Sequence, residues 1–487
     1  MPDALFDLAA RAHRAMLEAG FRPDFPPDVL NEIRAIKNVQ PGKPATNVRD
    51  LRHLQWSSID NDTSRDLDQV EYAEKLPDDT IRLLVGIADV DTLVAKGSAT
   101  DRQAGVESTS VYTGVKTFPM LPIELSTDLT SLSEGQHRSA IVIELRVIGS
   151  GDVTCHDVFP ASTLNCAKLA YSSTGAWLEG TGPIPPPVAK TPGMEAQLRL
   201  QQEASERLRK IRQQRGTLAF ASVEATPVVD HGEVKDLTVR KHNVAEDIIE
   251  SFMVAANVAM AQFLKEKGSL SIRRVVKTPK RWDRIQAIAA QFAVKLPDTP
   301  DQRALSDFLR QRKAADPNHY PDLSLSIVKL LGPGEYVAEA PDAPHEGHFG
   351  LAVDDYTHST APNRRYADLV TQRLLKAVVA NLPAPYSEAE LSQIAVHCTE
   401  RGDAARKVER LMRKIVAANL LGKRIGEIFD AIVTGASPKG TYVRLLKFPA
   451  EGRVTRDTQG IDVGDKVRVR LISVEVDKGF IDFEKIA

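Results

Sequence analysis

Cysteine is nearly absent from this chain of 487 residues: Cys155, Cys166 and Cys398 are the only three, far apart and in no C-x-x-C spacing. That excludes a disulfide scaffold or a thiolate metal finger and leaves small thiols suited to a reducing compartment. Net charge is scarce too. A formal value of −2 gives no overall sign that would demand a nucleic-acid or membrane partner, so any basic surface must be local. No apolar run of membrane-spanning length stands out, and the N-terminal MPDALFDLAARAHRAMLEAG carries acids where a signal peptide needs an unbroken apolar core. The expectation is a cytoplasmic protein, without membrane contact, of roughly two to four domains.

What is present divides the chain. Residues 1–50 read as two short helices, one amphipathic through Leu5, Leu8, Ala9, His13, Met16 and Leu17, the next started by Pro26-Pro27. They form a small helical domain, possible as a helix-turn-helix. From Leu51 the pattern turns to strands, with IRLLVGIADV and SAIVIELRVI nearly continuous in apolarity, as buried strands are. The Pro-rich GTGPIPPPVAKTPG is expected to be a surface connection. Helices are expected from Glu195 to about Arg215, with many exposed arginines, then over Ala245–Lys265, Arg281–Ala293, Pro362–Ala380 and Glu388–Gly422. From Ile425 onward five short strands suit a small barrel of OB type.

The stretch SSIDNDTSRDLDQVEY concentrates acids. Its spacing fits a calcium loop as far as Asp60, Asp62, Ser64, Asp66, Asp68 and Glu71, but Arg65 stands where the turn needs glycine. VEYAEKLPDDTIRLLVGIADV then reads as a β-hairpin, not an exiting helix. A solvated turn explains the spacing poorly. Asp66 and Asp68 share a face of an extended segment and Asp60 is brought back beside them; three converging carboxylates repel unless a cation sits between them. A hard divalent ion of the Mg²⁺ type, partly liganded by phosphate oxygens, points to phosphoryl chemistry.

Seven blocks, SIDNDTSRDLD, GIADV, YTGVKTFPMLP, ELSTDLTSL, IIESFMVAAN, HFGL and YTHSTAPNRRYADLVTQRLLKAVV, follow one another in an order and spacing that resembles the catalytic domain of the ribonuclease II (RNB) family. The tail resembles the S-one-type OB domain that often follows it. The resemblance implies an α+β fold with an RNB-type catalytic domain over 51–424, an OB-fold RNA-binding domain over 425–487 and the short helical domain over 1–50, with no room there for cold-shock barrels. It implies a processive hydrolytic 3′-to-5′ exoribonuclease that degrades single-stranded RNA to 5′-nucleoside monophosphates, using Mg²⁺, with Mn²⁺ as a substitute; a monomer is the separate expectation. The alternative is an RNA-binding protein that keeps the channel and has lost hydrolysis.

Residue by residue, the resemblance places Asp60, Asp66 and Asp68 on three of the family's four active-site aspartates, and Gln69 on the fourth. An amide oxygen still ligates Mg²⁺, with one negative charge fewer. Asp62 and Glu71 match no family ligand. Arg364 and Arg365 fall near a helix start, where the dipole disfavours cations and a docked anion offsets the cost; the competing expectation is an ion pair with Asp368. The resemblance makes Arg364 the clamp on the scissile phosphate, with Arg365 a secondary RNA contact. Tyr112 aligns with the aromatic that stacks on a base near the 3′ end, Phe220 with an opposing ring, and Glu250 with a group behind the metal. His348 and His358 are expected to serve structure. In the tail Phe429, Tyr442 and Phe448 lie among Lys439, Arg444, Lys447 and Arg453, with Tyr442 the RNA contact of choice.

Overall fold

In the computed structural model, residues 6–486 are described except for 39–46, 222–224, 231–232, 240–241, 318, 342, 344–345, 438–439, 458–459 and 462. Leu5 and Lys439, named above, lie outside the described residues.

The chain starts with α1 (Leu8–Glu18) and α2 (Pro27–Asn38). Asp7 caps α1 by accepting the Ala10 N–H at 2.8 Å. The strands β1 (Arg49–Asp50), β2 (Trp56–Asp60), β3 (Gln69–Lys75) and β4 (Ile81–Ala88) follow, then α3 (Ala99–Glu107), the short pair β5 (Val111–Tyr112) and β6 (Thr117–Phe118), β7 (His137–Val147) and β8 (Val153–Ala170). The expected hairpin is β3–β4: Leu76 donates to the Thr80 carbonyl at 2.8 Å, and Asp79 takes the left-handed φ of 65° that the turn needs. The sheet order is β1-β8-β2-β3-β4-β7. Because β8 pairs with β7 over residues 153–164 and with β2 over 165–170, the sheet bends round and meets itself. Helices cover it, which is why β4 is buried along almost its whole length and reads as one apolar run.

Next come α4 (Tyr171–Leu178), α5 (Pro186–Lys190) and α6 (Met194–Arg215). The Pro-rich connection thus contains a one-turn helix. Pro186 and Pro187 occupy its first positions, where no N–H is required. On α6 the arginines are largely ion-paired: Arg207 with Glu203 at 2.6 Å, Arg209 with Asp247 at 2.5 Å and Arg215 with Asp152 at 2.8 Å. After β9 (Ala225–Asp230) and β10 (Glu233–Val239), α7 (Val244–Glu266) begins at a capping box, with the Asn243 side chain accepting the Glu246 N–H and the Glu246 carboxylate accepting the Asn243 N–H. By length and composition α7 could cross a membrane, a longer apolar segment than the sequence reading allowed. Its apolar window is 67% buried inside the protein, where Phe252, Ala256 and Met260 pack under the sheet, so it is a core helix.

A smaller cluster around Trp282, Phe308 and Ile327 is built from α8 (Trp282–Ala290), α9 (Gln302–Ala315) and α10 (Tyr320–Leu331), between the paired strands β11 (Ser271–Val275) and β12 (Glu335–Glu339). Then come α11 (Tyr366–Val379) and α12 (Glu388–Leu421), the latter capped by Ser387 and Glu390. The strands β13 (Ile428–Ser437), β14 (Gly440–Leu445), β15 (Glu451–Arg456), β16 (Lys466–Glu475) and β17 (Phe480–Ile486) close a barrel in the order β13-β14-β15-β17-β16, with β15 and β17 parallel. This is the OB arrangement expected from the strand spacing. Its core lies against α12 and α1, whose Ala12, Ala15 and Met16 share a cluster with Met412, Ile415 and Phe429.

Candidate active site

The site grows out of the junction between β2 and β3. Asp60 ends β2, and its Oδ1 accepts the Asn61 N–H at 2.6 Å and the Ser64 hydroxyl at 2.8 Å, turning the chain out of the strand. Leu67 then plugs back into the core at 2% exposure, its N–H donating to Ser131 Oγ at 3.1 Å and its carbonyl accepting the Leu132 N–H at 3.0 Å. Pinning residue 67 leaves Asp66 and Asp68 on the opposite side of the same extended segment. Both lie in coil, since β3 begins at Gln69. Asp62 is exposed and accepts the Ser172 hydroxyl at 3.0 Å, and a strand follows where a calcium loop needs a helix.

Of Asp60, Asp66 and Asp68, Asp68 is the most enclosed, at 1% exposure. Its Oδ1 accepts the Asn363 N–H and its Oδ2 the Arg364 Nε–H, each at 3.1 Å. Burial pushes its carboxyl up to about 7, against the pull of the Arg364 guanidinium and the Asn363 N–H, while Asp66 and Asp368 add to the rise. The two ends of the site therefore meet across nearly 300 residues of sequence.

The segment that delivers Arg364 is not helical, contrary to the expected start at Pro362. α11 begins at Tyr366, with Arg365 at its N-cap in extended backbone. The reason is long-range: Ser110 N–H donates to the Arg364 carbonyl and Tyr366 N–H to the Ser108 carbonyl, both at 2.9 Å, so residues 364–366 run as a strand beside 108–110. Asp368, fully buried in the first turn of α11, accepts the Ala361 N–H at 2.8 Å and holds Arg365 through Nε at 2.8 Å and Nη2 at 2.7 Å. The two arginines thus divide, Arg365 to the Asp368 pair and Arg364 to Asp68. Asp368→Ala leaves Arg365 without its counter-charge and is expected to cost about 3–5 kcal/mol of stability, read as a drop in the denaturation midpoint.

The strand-like zipper also sets Tyr112 beside Arg364. The Tyr112 ring is 42% exposed, its hydroxyl donates to Asp66 Oδ2 at 3.4 Å, and its N–H donates to Glu409 Oε1 at 3.0 Å. Tyr112, Arg364 and Arg365 line a cavity of about 240 Å³ together with Arg274, Tyr336 and His358. Arg274 and Tyr336 were not singled out in the sequence, and His358 was named there only for a structural role. Arg274 lies next to Arg273 in β11, and alternation sends Arg273 to Glu339 at 3.1 Å and Arg274 over the Tyr336 ring, 4.8 Å from its centroid. An Arg-Arg pair inside an apolar strand was the available signal. His358 is half-buried, 2.7 Å from the Tyr336 hydroxyl, and burial with Arg365 and Arg274 nearby holds it well below the usual histidine range. His348 is likewise pushed down to about 4 by burial, and its Nδ1 accepts the Leu351 N–H. Both shifts favour the neutral imidazole.

The remaining candidates are dispersed. Gln69 is buried in β3 opposite Ile87. Phe220 is half-buried against the Trp282 cluster. Glu250 is exposed on α7, 3.5 Å from Arg212 Nη1. With His242 and Asp247 it makes a compact acidic group, but Asp247 is already bound to His242 at 2.8 Å and to Arg209 at 2.5 Å. In the barrel Phe429 faces inward against Phe483, Tyr442 is 46% exposed on the outside, and Arg444 is tied to Asp322 at 2.9 Å.

Asp60, Asp66 and Asp68 offer oxygen alone, with neither thiolate nor imidazole among them, which suits a hard divalent ion. Acids beside a guanidinium, next to a cavity lined by arginine and tyrosine, suit a phosphoryl-handling site of the nuclease type. The chain belongs to the RNB family: the RNB domain matches residues 48–381, and the RNase II-type exonuclease C-terminal S1 domain matches residues 427–486. Ribonuclease R of Thermotoga maritima is 28% identical over 496 residues, covering 94% of this chain and 68% of that protein. The structure of Mycoplasma genitalium RNase R in complex with ribose methylated single-stranded RNA shares the fold with a TM-score of 0.89 at 23% identity, over 99% of this chain and 78% of that one. Yeast Ssd1, a pseudonuclease, also shares it, with a TM-score of 0.71 at 19% identity over 92% of this chain and 56% of that one. Architecture alone therefore does not separate nuclease from pseudonuclease, and the side chains must.

Proposed function

We propose that this protein is a processive hydrolytic 3′-to-5′ exoribonuclease that shortens single-stranded RNA and releases 5′-nucleoside monophosphates. The observation that carries the reading is the Asp68–Arg364 contact at 3.1 Å with the Tyr112 hydroxyl on Asp66, which gathers acid, phosphate clamp and base platform at one point. Asp60, Asp66 and Asp68, with the Gln69 amide, would hold Mg²⁺, or Mn²⁺ in its place. When bound, that ion supplies positive charge to the scissile phosphate and lowers the pKa of the attacking water. Arg364 steadies the phosphate and the charge that grows on it as the bond to the 3′-terminal nucleotide breaks. Tyr112 stacks on a base near that end, with Phe220 as a second ring and Arg365 and Tyr442 as contacts along the strand; Glu250 assists from behind the metal. The enzyme works in the cytoplasm as a monomer.

Incubating the protein with 5′-labelled single-stranded RNA and Mg²⁺ is expected to give stepwise shortening from the 3′ end. Retained binding with no shortening under any metal would instead leave an RNA-binding protein. Tyr112→Ala is expected to lengthen the final product and to weaken short-oligonucleotide binding by roughly 5- to 150-fold, the equivalent of about 1–3 kcal/mol for one stacked base. Gel sizing of the limit product and a binding titration read the two effects.

A further inference from the structure

Gln69 and Glu71 lie two residues apart at the start of β3 and so share one of its faces. Gln69 stands where the family resemblance calls for an aspartate. Glu71 is 0% exposed, and neither of its carboxylate oxygens has a hydrogen-bond partner among the described residues. An ionised carboxylate with neither donor nor counter-ion is among the most costly things a protein can bury. Its surroundings do not relieve it. β2 faces it with Ser57, and the Gln201 amide nitrogen, 3.4 Å from both Ser57 Oγ and the Glu71 carbonyl, leaves the Gln201 Oε1 also unpartnered. Asp60 ends the strand that runs beside Glu71, and burial first, with the Asp60 charge second, pushes the Glu71 carboxyl well above its ordinary range. Tyr171, the residue after the β8 partner of Asp60, feels both carboxylates. Two acids and an orphan amide oxygen, with no donor supplied, form a setting that a cation completes.

We propose that Glu71 supplies the negative charge missing at position 69, so that the divalent ion is held between Asp60 and Glu71 with Gln69 as a neutral neighbour. The proposal rests on the metal-dependent reading above. Moving a carboxylate two residues along one strand face while lengthening it by a methylene keeps the charge of the site. The longer arm reaches the ion directly or through one of the waters that Mg²⁺ retains. The substitution at position 69 is thereby compensated within the same strand, and the site keeps four acids.

Mn²⁺ binding to the full chain without RNA, followed by the electron paramagnetic resonance of the free ion, tests this independently of cleavage. Glu71→Gln is expected to weaken Mn²⁺ binding by about tenfold or more, as Asp60→Asn does, and Gln69→Asp added to Glu71→Gln is expected to recover it. In EDTA, Glu71→Gln is expected to melt no lower than the natural chain, which separates a lost ligand from a damaged fold. Gln69→Asp alone is expected to change affinity by no more than about threefold, because the charge is already present; a gain of about tenfold would overturn the proposal even if Glu71→Gln failed to fold. Glu71→Gln binding Mn²⁺ at natural affinity while Asp60→Asn does not would overturn the role of Glu71 and leave the metal reading standing. A natural chain that binds no Mn²⁺ would overturn both.

Discussion

Asp68→Asn is expected to stop cleavage while leaving RNA bound. The amide keeps the shape of the carboxyl, and its oxygen can still accept the Asn363 N–H, so the turn that presents Arg364 is retained. What disappears is a negative charge at the most enclosed point of the site, 3.1 Å from the guanidinium. With that charge proposed both to hold the ion and to balance Arg364, single-turnover cleavage of labelled RNA is expected to slow by at least about 10³-fold. RNA affinity, dominated by contacts along the strand and by base stacking, is expected to stay nearly constant. Stability should hold or rise, because a neutral amide replaces a carboxyl that burial already drives toward its protonated form. Trimming at the natural rate would remove Asp68 from the site.

Arg364→Ala carries the second large effect. Arg364 lies at the mouth of the cavity with its side chain 45% exposed, so its loss opens no hole in the core. It removes the donor fork facing the phosphate, and kcat is expected to fall by about 10²–10³-fold with a smaller change in binding. Arg364→Lys should recover only part of the rate. A lysine restores the charge but not the planar pair of donors, and it cannot keep one N–H on Asp68 while turning others to the substrate. Equal activity in Lys and natural proteins would reduce Arg364 to a generic positive charge.

The β3–β4 hairpin, the long helices and the barrel were legible because each is written in local pattern. Alternation and a Pro-Asp-Asp turn mark the hairpin, 3.6-residue periodicity marks α6 and α7, and glycine-punctuated short strands mark the barrel. Contacts made at long range were not legible. Asn363, Arg364 and Arg365 follow Pro362 as a helix start would, yet Ser108, Ser110 and Asp68, some 250–300 residues earlier, hold them in extended form. Arg274 and Tyr336 belong to the cavity only because β11 and β12 pair. Glu71 matched no family ligand, and nothing in its local pattern set it apart from the rest of the acidic stretch. It is buried because α6 covers that face, where Gln197 hydrogen-bonds to the Ala73 backbone and Gln201 approaches Glu71.

The long helix α12 places its early residues Leu391 and Cys398 in the sheet core and its later residues Met412 and Ile415 in the barrel core. Between them, Glu409 holds the backbone of Tyr112. A helix turns by about 100° per residue, so the bearing of the barrel relative to the cavity is a matter of angular phase along this one element. Loops can lengthen without moving either body. Between Cys398 and Met412, one inserted residue would rotate the barrel about the helix axis and pull the aromatic platform off line, so the number of residues there matters apart from their identity.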